Sequence, residues 1–213
     1  MKFIKQHIRN SAAKLHAESE GFDLFSDTDL WSELIKGSHN AFEQIYYRYV
    51  NLLYDYGFRL SGEPQLVEDC IQDFFTDLWV KRNKLPQVKA VKSYLLVSLK
   101  RRLFRKLAHQ KKDVLKVYEA LEPRMAGFDP DFDVGHAEDS RIALTQALTH
   151  LSNKQKEAIY LRFYNLLSYE EIAEVMEVQV KAVYKLMARA LKVLRATMNQ
   201  PIITHLLIAI LAS

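Results

Sequence analysis

The 213-residue sequence predicts an all-α fold, two helical domains joined by a flexible linker, and three observations predict it. Six glycines and five prolines are too few for a turn-rich β architecture. Apolar residues recur at three- and four-residue spacing in two long blocks, the period of a helix face. Between the blocks, residues 113–139 lose that period and gather acids, prolines and glycines. The length allows one or two ordinary domains. An apolar content of 49% is enough to fill their cores.

In chain order, residues 1–25 form a basic N-terminal extension. Within it, 2–16 can make an amphipathic helix with Phe3, Ile4, Ile8, Ala12 and Leu15 on one side, and Gly21 interrupts. The first domain, 26–112, opens with a short helix capped by Asp27 or Thr28, running through Ile35 and ended by Gly37. Ser38 starts a long helix in which Phe42, Ile45, Tyr46, Tyr49, Leu52, Leu53 and Tyr56 share a face. Ser61-Gly62 ends it. Pro64 suits a first helical position. Beyond it Leu66, Val67, Cys70, Ile71, Phe74, Phe75, Leu78 and Trp79 form a wide apolar stripe, opposite Glu68, Asp69, Gln72, Asp73 and Asp77. Lys84-Leu85-Pro86 ends that helix, and another runs from Val91 to Gln110.

Residues 113–139 read as a short helix near 114–121 followed by an acidic, flexible linker. The second domain, 140–198, holds helices near 141–150, 154–166, 169–176 and 180–197. The last segment, 199–213, is an apolar C-terminal tail. It is too short to span a bilayer, which needs roughly 20 residues. Residues 1–16 lack the apolar core of a signal peptide, so a cytoplasmic protein with no membrane span is expected.

The clearest local motif is Ser168-Tyr-Glu-Glu171, a capping box. Ile172, Ala173 and Met176 face inward, and a short turn at Glu177-Val178-Gln179 follows. The next helix has Val183, Leu186, Ala190, Leu191 and Leu194 on its buried side, which is helix-turn-helix spacing. It carries Lys181, Lys185, Arg189, Lys192 and Arg195, and no acid follows Glu177. Such a helix can lie in a DNA major groove, with cations on phosphates and a few side chains on bases. The competing reading is a helical hairpin with a solvated basic face.

A second cluster spans Lys89 to Lys112. Lys89, Lys92, Lys100, Arg101, Arg102, Arg105, Lys106, Lys111 and Lys112 fall there without an acid, interleaved with Tyr94 and Phe104. A solvated face would ordinarily mix signs. Cations alone repel one another, so an anionic partner is the better explanation. The two aromatics read first as core and second as platforms for unstacked bases. For the helix at 64–82 two readings stay level: its acidic face binds a basic protein surface, or it is merely solvated.

Several chemistries find no support. The single cysteine, Cys70, permits no intramolecular disulfide and no cysteine metal site, and reads as a buried thiol. The seven histidines are scattered. Asp69, Asp73 and Asp77 share one helix face, whereas magnesium sites draw ligands from several elements. There is no phosphate-binding glycine loop. No catalytic residue, cofactor or metal is expected.

In this order the segments resemble the extracytoplasmic-function sigma factors of the sigma-70 family, over most of residues 28–198. Ala41-Phe-Glu-Gln-Ile-Tyr-Tyr-Arg-Tyr49 looks like the start of region 2. Val67-Glu-Asp-Cys-Ile-Gln-Asp-Phe-Phe-Thr-Asp-Leu-Trp79 looks like the polymerase-binding helix, and Val91-Lys-Ser-Tyr-Leu-Leu-Val-Ser-Leu-Lys-Arg-Arg102 like the promoter-melting helix. The stretch Leu148–Tyr164, with Leu167–Ala173 and Ala188–Arg195, resembles region 4. The resemblance implies a region 2 bundle, a region 4 helix-turn-helix, and core RNA polymerase (β and β′ subunits) and promoter DNA as partners. An anti-sigma factor and an additional DNA-bound recruiter are further expected partners.

By the same resemblance, Glu68, Asp69, Gln72, Asp73, Phe75 and Trp79 would belong to the polymerase-docking helix, the charged groups touching the partner and the aromatics packing the core. Asn83, Lys89, Lys92, Tyr94, Lys100, Arg101, Arg102 and Arg105 would hold the unwound −10 strand. Ser168, Gln179, Lys181, Ala182, Tyr184, Lys185 and Arg189 would face the −35 element. The family commonly turns on Gly and a small polar cap where this chain has Glu177-Val178-Gln179. A left-handed residue other than glycine is strained there, and Gln caps poorly. The helix is also poor in bidentate base readers, so weak or unusual −35 readout is expected. The remaining alternative is a two-domain helix-turn-helix transcriptional regulator, which has no need of unmixed cations beside an acidic helix.

Overall fold

The structure, a computed structural model, describes residues 25–110 and 146–197. The expected features at 2–16, 113–139, 141–145 and 199–213 lie outside the described residues. All described regular structure is helical, and the chain divides into two compact units, Met1–Lys112 and Asp113–Ser213.

The first unit packs four helices: α1 (Asp27–Ile35), α2 (His39–Ser61), α3 (Pro64–Val80) and α4 (Val91–Gln110), with a 3-10 turn at Arg82–Lys84. Ser26, not Asp27 or Thr28, caps α1, its Oγ accepting from the Asp29 N–H at 3.2 Å. Ser26 has the extended backbone an N-cap needs. Asp27 is thereby released to pair with Arg48 at 2.6 Å and to accept from the Tyr49 hydroxyl, tying α1 to α2. Ser38 caps α2 as the sequence predicts, and Gly62 ends it in the left-handed region at φ 71°.

The core lies where α2, α3 and α4 cross. Ile45, Leu53, Tyr56 and Leu60 meet Val67, Cys70 and Ile71, and Leu95, Leu96, Leu99 and Leu103 close the third side. Gly57 marks the tightest approach. A Cβ there would lie 2.8 Å from Val67 Cγ1 and 3.3 Å from Leu103 Cδ1. Trp31 of α1 is fully buried, and its indole N–H donates to the Pro86 carbonyl at 2.9 Å. That bond pins the 82–90 loop to α1.

In the second unit, residues 146–149 are helical, followed by α5 (Asn153–Phe163), α6 (Tyr169–Met176) and α7 (Val180–Thr197). α5 stops three residues short of the expected 166, because the chain bends at Tyr164-Asn165 and takes a left-handed residue at Leu166 (φ 53°). Two capping boxes fix the starts of α5 and α6, Ser152 with Gln155 and Ser168 with Glu171. The buried face of α7 is Val183, Met187, Ala190 and Leu194. Met187 takes the inner place expected for Leu186, which with Leu191 sits half-buried at the margin. The 183, 187, 190, 194 series follows the helical repeat more closely, so it defines the stripe.

Candidate nucleic-acid interface

Two separate surfaces collect the predicted residues, one on each unit. In the first, α3 presents three faces. Leu66, Val67, Cys70, Ile71, Phe74, Phe75 and Leu78 point into the core. Asp69 and Gln72 are exposed, and Glu68 is half-buried. Asp69 accepts from Gln65 Nε2 at 3.1 Å, one turn back. Asp73 and Asp77 lie on the flank toward α4.

The aromatics of this helix do not all pack the core as expected. Phe75 is buried against Tyr46 and Phe42 of α2, with ring centres 4.8 and 6.1 Å away. Trp79 is only half-buried. It sits 5.2 Å from Phe42 and 5.3 Å from His39, with the Arg82 guanidinium 4.2 Å over its ring. Arg82 also donates to the Trp79 carbonyl at 2.8 Å, closing the end of α3. Trp79 stands in the last turn of α3, between the first residues of α2 and Arg82, and remains partly exposed. A half-exposed aromatic seam therefore runs beside Glu68 and Gln72.

The cations of α4 are not equivalent. Arg101 and Arg105 are exposed, as are Asn83 in the 3-10 turn and Lys89 before the helix. Lys92 and Tyr94 are half-buried, and the Tyr94 ring meets Trp31 edge-on at 5.1 Å. Lys100, expected on DNA, is only 7% exposed, with its Nζ 5.8 Å from the Phe104 ring centre. Its position between Leu96, Leu99 and Leu103 carries it into the bundle, so it is a poor phosphate ligand here. Phe104 is half-buried.

Arg102 reaches back to α3 and pairs with Asp77 at 2.5 Å, and Lys106 pairs with Asp73 at 2.7 Å. Asp77 also receives Lys81 at 3.1 Å. The charge along α4 is unmixed in sequence, but the neighbouring helix supplies the opposite sign. Arg102, then Lys81, holds the Asp77 carboxyl below its ordinary range, and Asp73 raises Lys106 above its own. Cys70 lies behind them, its thiol pushed by burial up to about 11.

The second surface is the outer side of α7. Lys181, Lys185, Arg189, Lys192 and Arg195 are all exposed, and no ion pair among the described residues involves them. Ser168 serves the scaffold: its Oγ accepts from the Glu171 N–H at 3.1 Å while Glu171 accepts from the Ser168 N–H at 2.7 Å. The turn between α6 and α7 does use a left-handed residue without glycine, Glu177 at φ 55°. Gln179 caps α7 through its backbone carbonyl, which accepts from Ala182 and Val183. Ala182 is half-buried. Tyr184 is 54% exposed and stands edge-on to Tyr169 of α6 at 4.5 Å. Arg162, over Tyr169 at 5.5 Å, donates to the Leu167 carbonyl and extends the stack to α5.

Two contributors escaped sequence reasoning. Trp31 anchors the loop that carries Asn83, through an acceptor 55 residues away. Lys81 joins the Asp77 pair. The only prior signal for Trp31 was its apolar setting, since a buried indole N–H must find some acceptor but does not say which. Among the described residues, no group of three or more His, Cys, Asp or Glu is placed to hold a metal ion.

Residues 45–113 match the family description of Sigma-70 region 2, and residues 141–194 match that of Sigma-70, region 4. Among solved structures, the chain is similar to CnrH in complex with the cytosolic domain of CnrY, at 21% identity and a TM-score of 0.51, covering 80% of this chain and 95% of that one. It is likewise similar to the sigma factor RpoE in complex with the anti-sigma factor NepR from Bartonella quintana, at 21% identity and a TM-score of 0.51 over 73% of this chain and 95% of that one. At such identity the likeness is one of fold. No curated protein sequence matches the chain.

Proposed function

Because the chain belongs to the sigma-70 family, in the extracytoplasmic-function form that carries regions 2 and 4, we propose that it binds core RNA polymerase, directs it to promoters and helps separate the strands at the −10 element. The observation that carries this is the segregation of surfaces: an outward acid-and-aromatic face on α3, exposed cations at Lys89, Arg101 and Arg105, and an all-cation outer face on α7. The first suits a protein partner and the other two suit phosphates. In this scheme Glu68, Asp69, Gln72 and the exposed side of Trp79 meet the β′ subunit, and Phe75 supports them from the core. Asn83 offers an amide that can both donate and accept toward an extruded base. Tyr94, half-buried beside Trp31, offers an aromatic ring toward a base.

At the −35 element, Lys181, Lys185 and Arg189 take phosphates, while Gln179, Ala182 and Tyr184 are the groups that can touch bases. That is a sparse set of readers. Sequence readout there is therefore weak, and a second DNA-bound protein helps place the polymerase. An anti-sigma factor is a further expected partner, since the RpoE structure holds one; it would compete with core polymerase for the chain. Among the described residues no helix is long and apolar enough to cross a membrane, and the work proposed belongs in the cytoplasm. It includes no catalytic step by this chain.

Transcription from genomic fragments by core polymerase, with and without the purified full chain, tests the assignment. The expected result is a set of defined start sites that appear only with the chain, and that lose little when the −35 sequence is scrambled. A strong loss on scrambling would reject the weak-readout claim. Duplex binding without any association with core polymerase would instead identify a helix-turn-helix regulator.

A further inference from the structure

The pairs between α3 and α4 join two surfaces to which different partners have been assigned. Asp73 and Asp77 stand on the helix proposed to grip polymerase. Lys106, Arg102 and Lys81, which they neutralise, stand on or beside the elements proposed to grip DNA. None of these groups is sealed from solvent: the Asp73 side chain is 52% exposed and the Arg102 side chain 25%. Ion pairs this exposed are each worth only about 0.2–1 kcal/mol. A DNA phosphate can therefore displace the carboxylate, but must first give back what the carboxylate contributed.

We infer that Asp73 and Asp77 act as an internal substitute for phosphate, holding Lys81, Arg102 and Lys106 off nucleic acid so that the free chain discriminates against bare polyanion. This rests on reading α4 and the 82–90 loop as the strand-holding elements. Lys89 and Arg105, exposed at the surface, supply a weak general attraction. The masked three add to it only where a strand is held long enough, by base contacts, to replace the carboxylates. The two acids are thus specificity-determining residues that touch no base.

The test is the affinity of the full chain for a labelled oligothymidine across a salt series, without polymerase. Asp73→Asn with Asp77→Asn removes two charges with almost no change of shape. Asp29→Asn with Glu63→Gln, exposed acids that no ion pair among the described residues involves, changes net charge equally without releasing a cation. Releasing three cations is expected to tighten binding and steepen the salt dependence by about two, at about 0.7 for each single-strand phosphate contact. The control pair should leave the slope unchanged. Adding Arg102→Gln and Lys106→Gln to the double variant should cancel most of the gain. An unchanged slope in the double variant, an equal rise in the control, or a gain that survives loss of Arg102 and Lys106 would each overturn the inference. Asp73→Asn alone, which releases only Lys106, gives a smaller step should the double variant fold poorly. Because polymerase is not in the assay, failure of the chain to support transcription would strike the functional assignment separately.

Discussion

Gly57 shows what one residue controls. It lies buried on α2 where α3 and α4 approach together, and the missing side chain is what lets them close. Gly57→Ala would drive a methyl into Val67 and Leu103, and overpacking of this kind costs about 1–3 kcal/mol despite the helix propensity gained. Both tryptophans, Trp31 and Trp79, lie in the first unit, so denaturation followed by tryptophan fluorescence isolates it. The midpoint should fall by that loss divided by the denaturant slope m; an equal or raised midpoint would show that α2 can shift freely. Lys100 is the other lesson at this scale. Its sequence neighbours marked it as one more cation in a row, yet the 3.6-residue period turns it inward with Leu96 and Leu103. Charge reversal there would test folding rather than DNA contact, which leaves Arg101 and Arg105 as the informative positions.

Among elements, what the sequence disclosed was local. The Ser168 capping box, the Ser38 cap, Pro64 at the start of α3 and the Gly62 stop all involve residues within four positions of one another, and all are found. The division of α3 into three faces was only half legible. The apolar stripe followed from period alone, but whether Asp73 and Asp77 face solvent or α4 depends on a helix that begins 14 residues after Asp77. The strained turn between α6 and α7 was visible because Glu177 stands where glycine would be expected. A left-handed residue other than glycine costs roughly 1–2 kcal/mol, offset in part by the entropy glycine would lose. Glu177→Gly should accordingly stabilise α6 and α7 by up to about 1 kcal/mol. Amide exchange confined to those helices would register it as slower opening, and faster exchange would mean that the Glu177 side chain contributes more than its backbone costs.

For the molecule as a whole, the two-block pattern of periodicity and the acid-free runs at 89–112 and 178–213 were enough to reach the family, because charge distribution and helix order are properties of the chain itself. They were not enough to say which cations are available. On α7 every outward cation remains exposed, whereas on α4 the neighbouring helix takes some of them and the core takes another. The two basic helices therefore differ in kind. One is an open cationic face; the other is a surface whose charge is partly spent within the bundle.

The most direct test of that division of labour is permanganate reactivity of thymines at a promoter the chain activates, with the full chain bound to core polymerase and carrying Arg101→Glu and Arg105→Glu. Polymerase should still bind the variant as tightly as the wild-type chain, since α3 is untouched. Strand opening should fall at least about tenfold, because each reversal turns attraction for a phosphate into repulsion. Undiminished thymine reactivity in the variant would contradict the assignment of α4 to separated DNA.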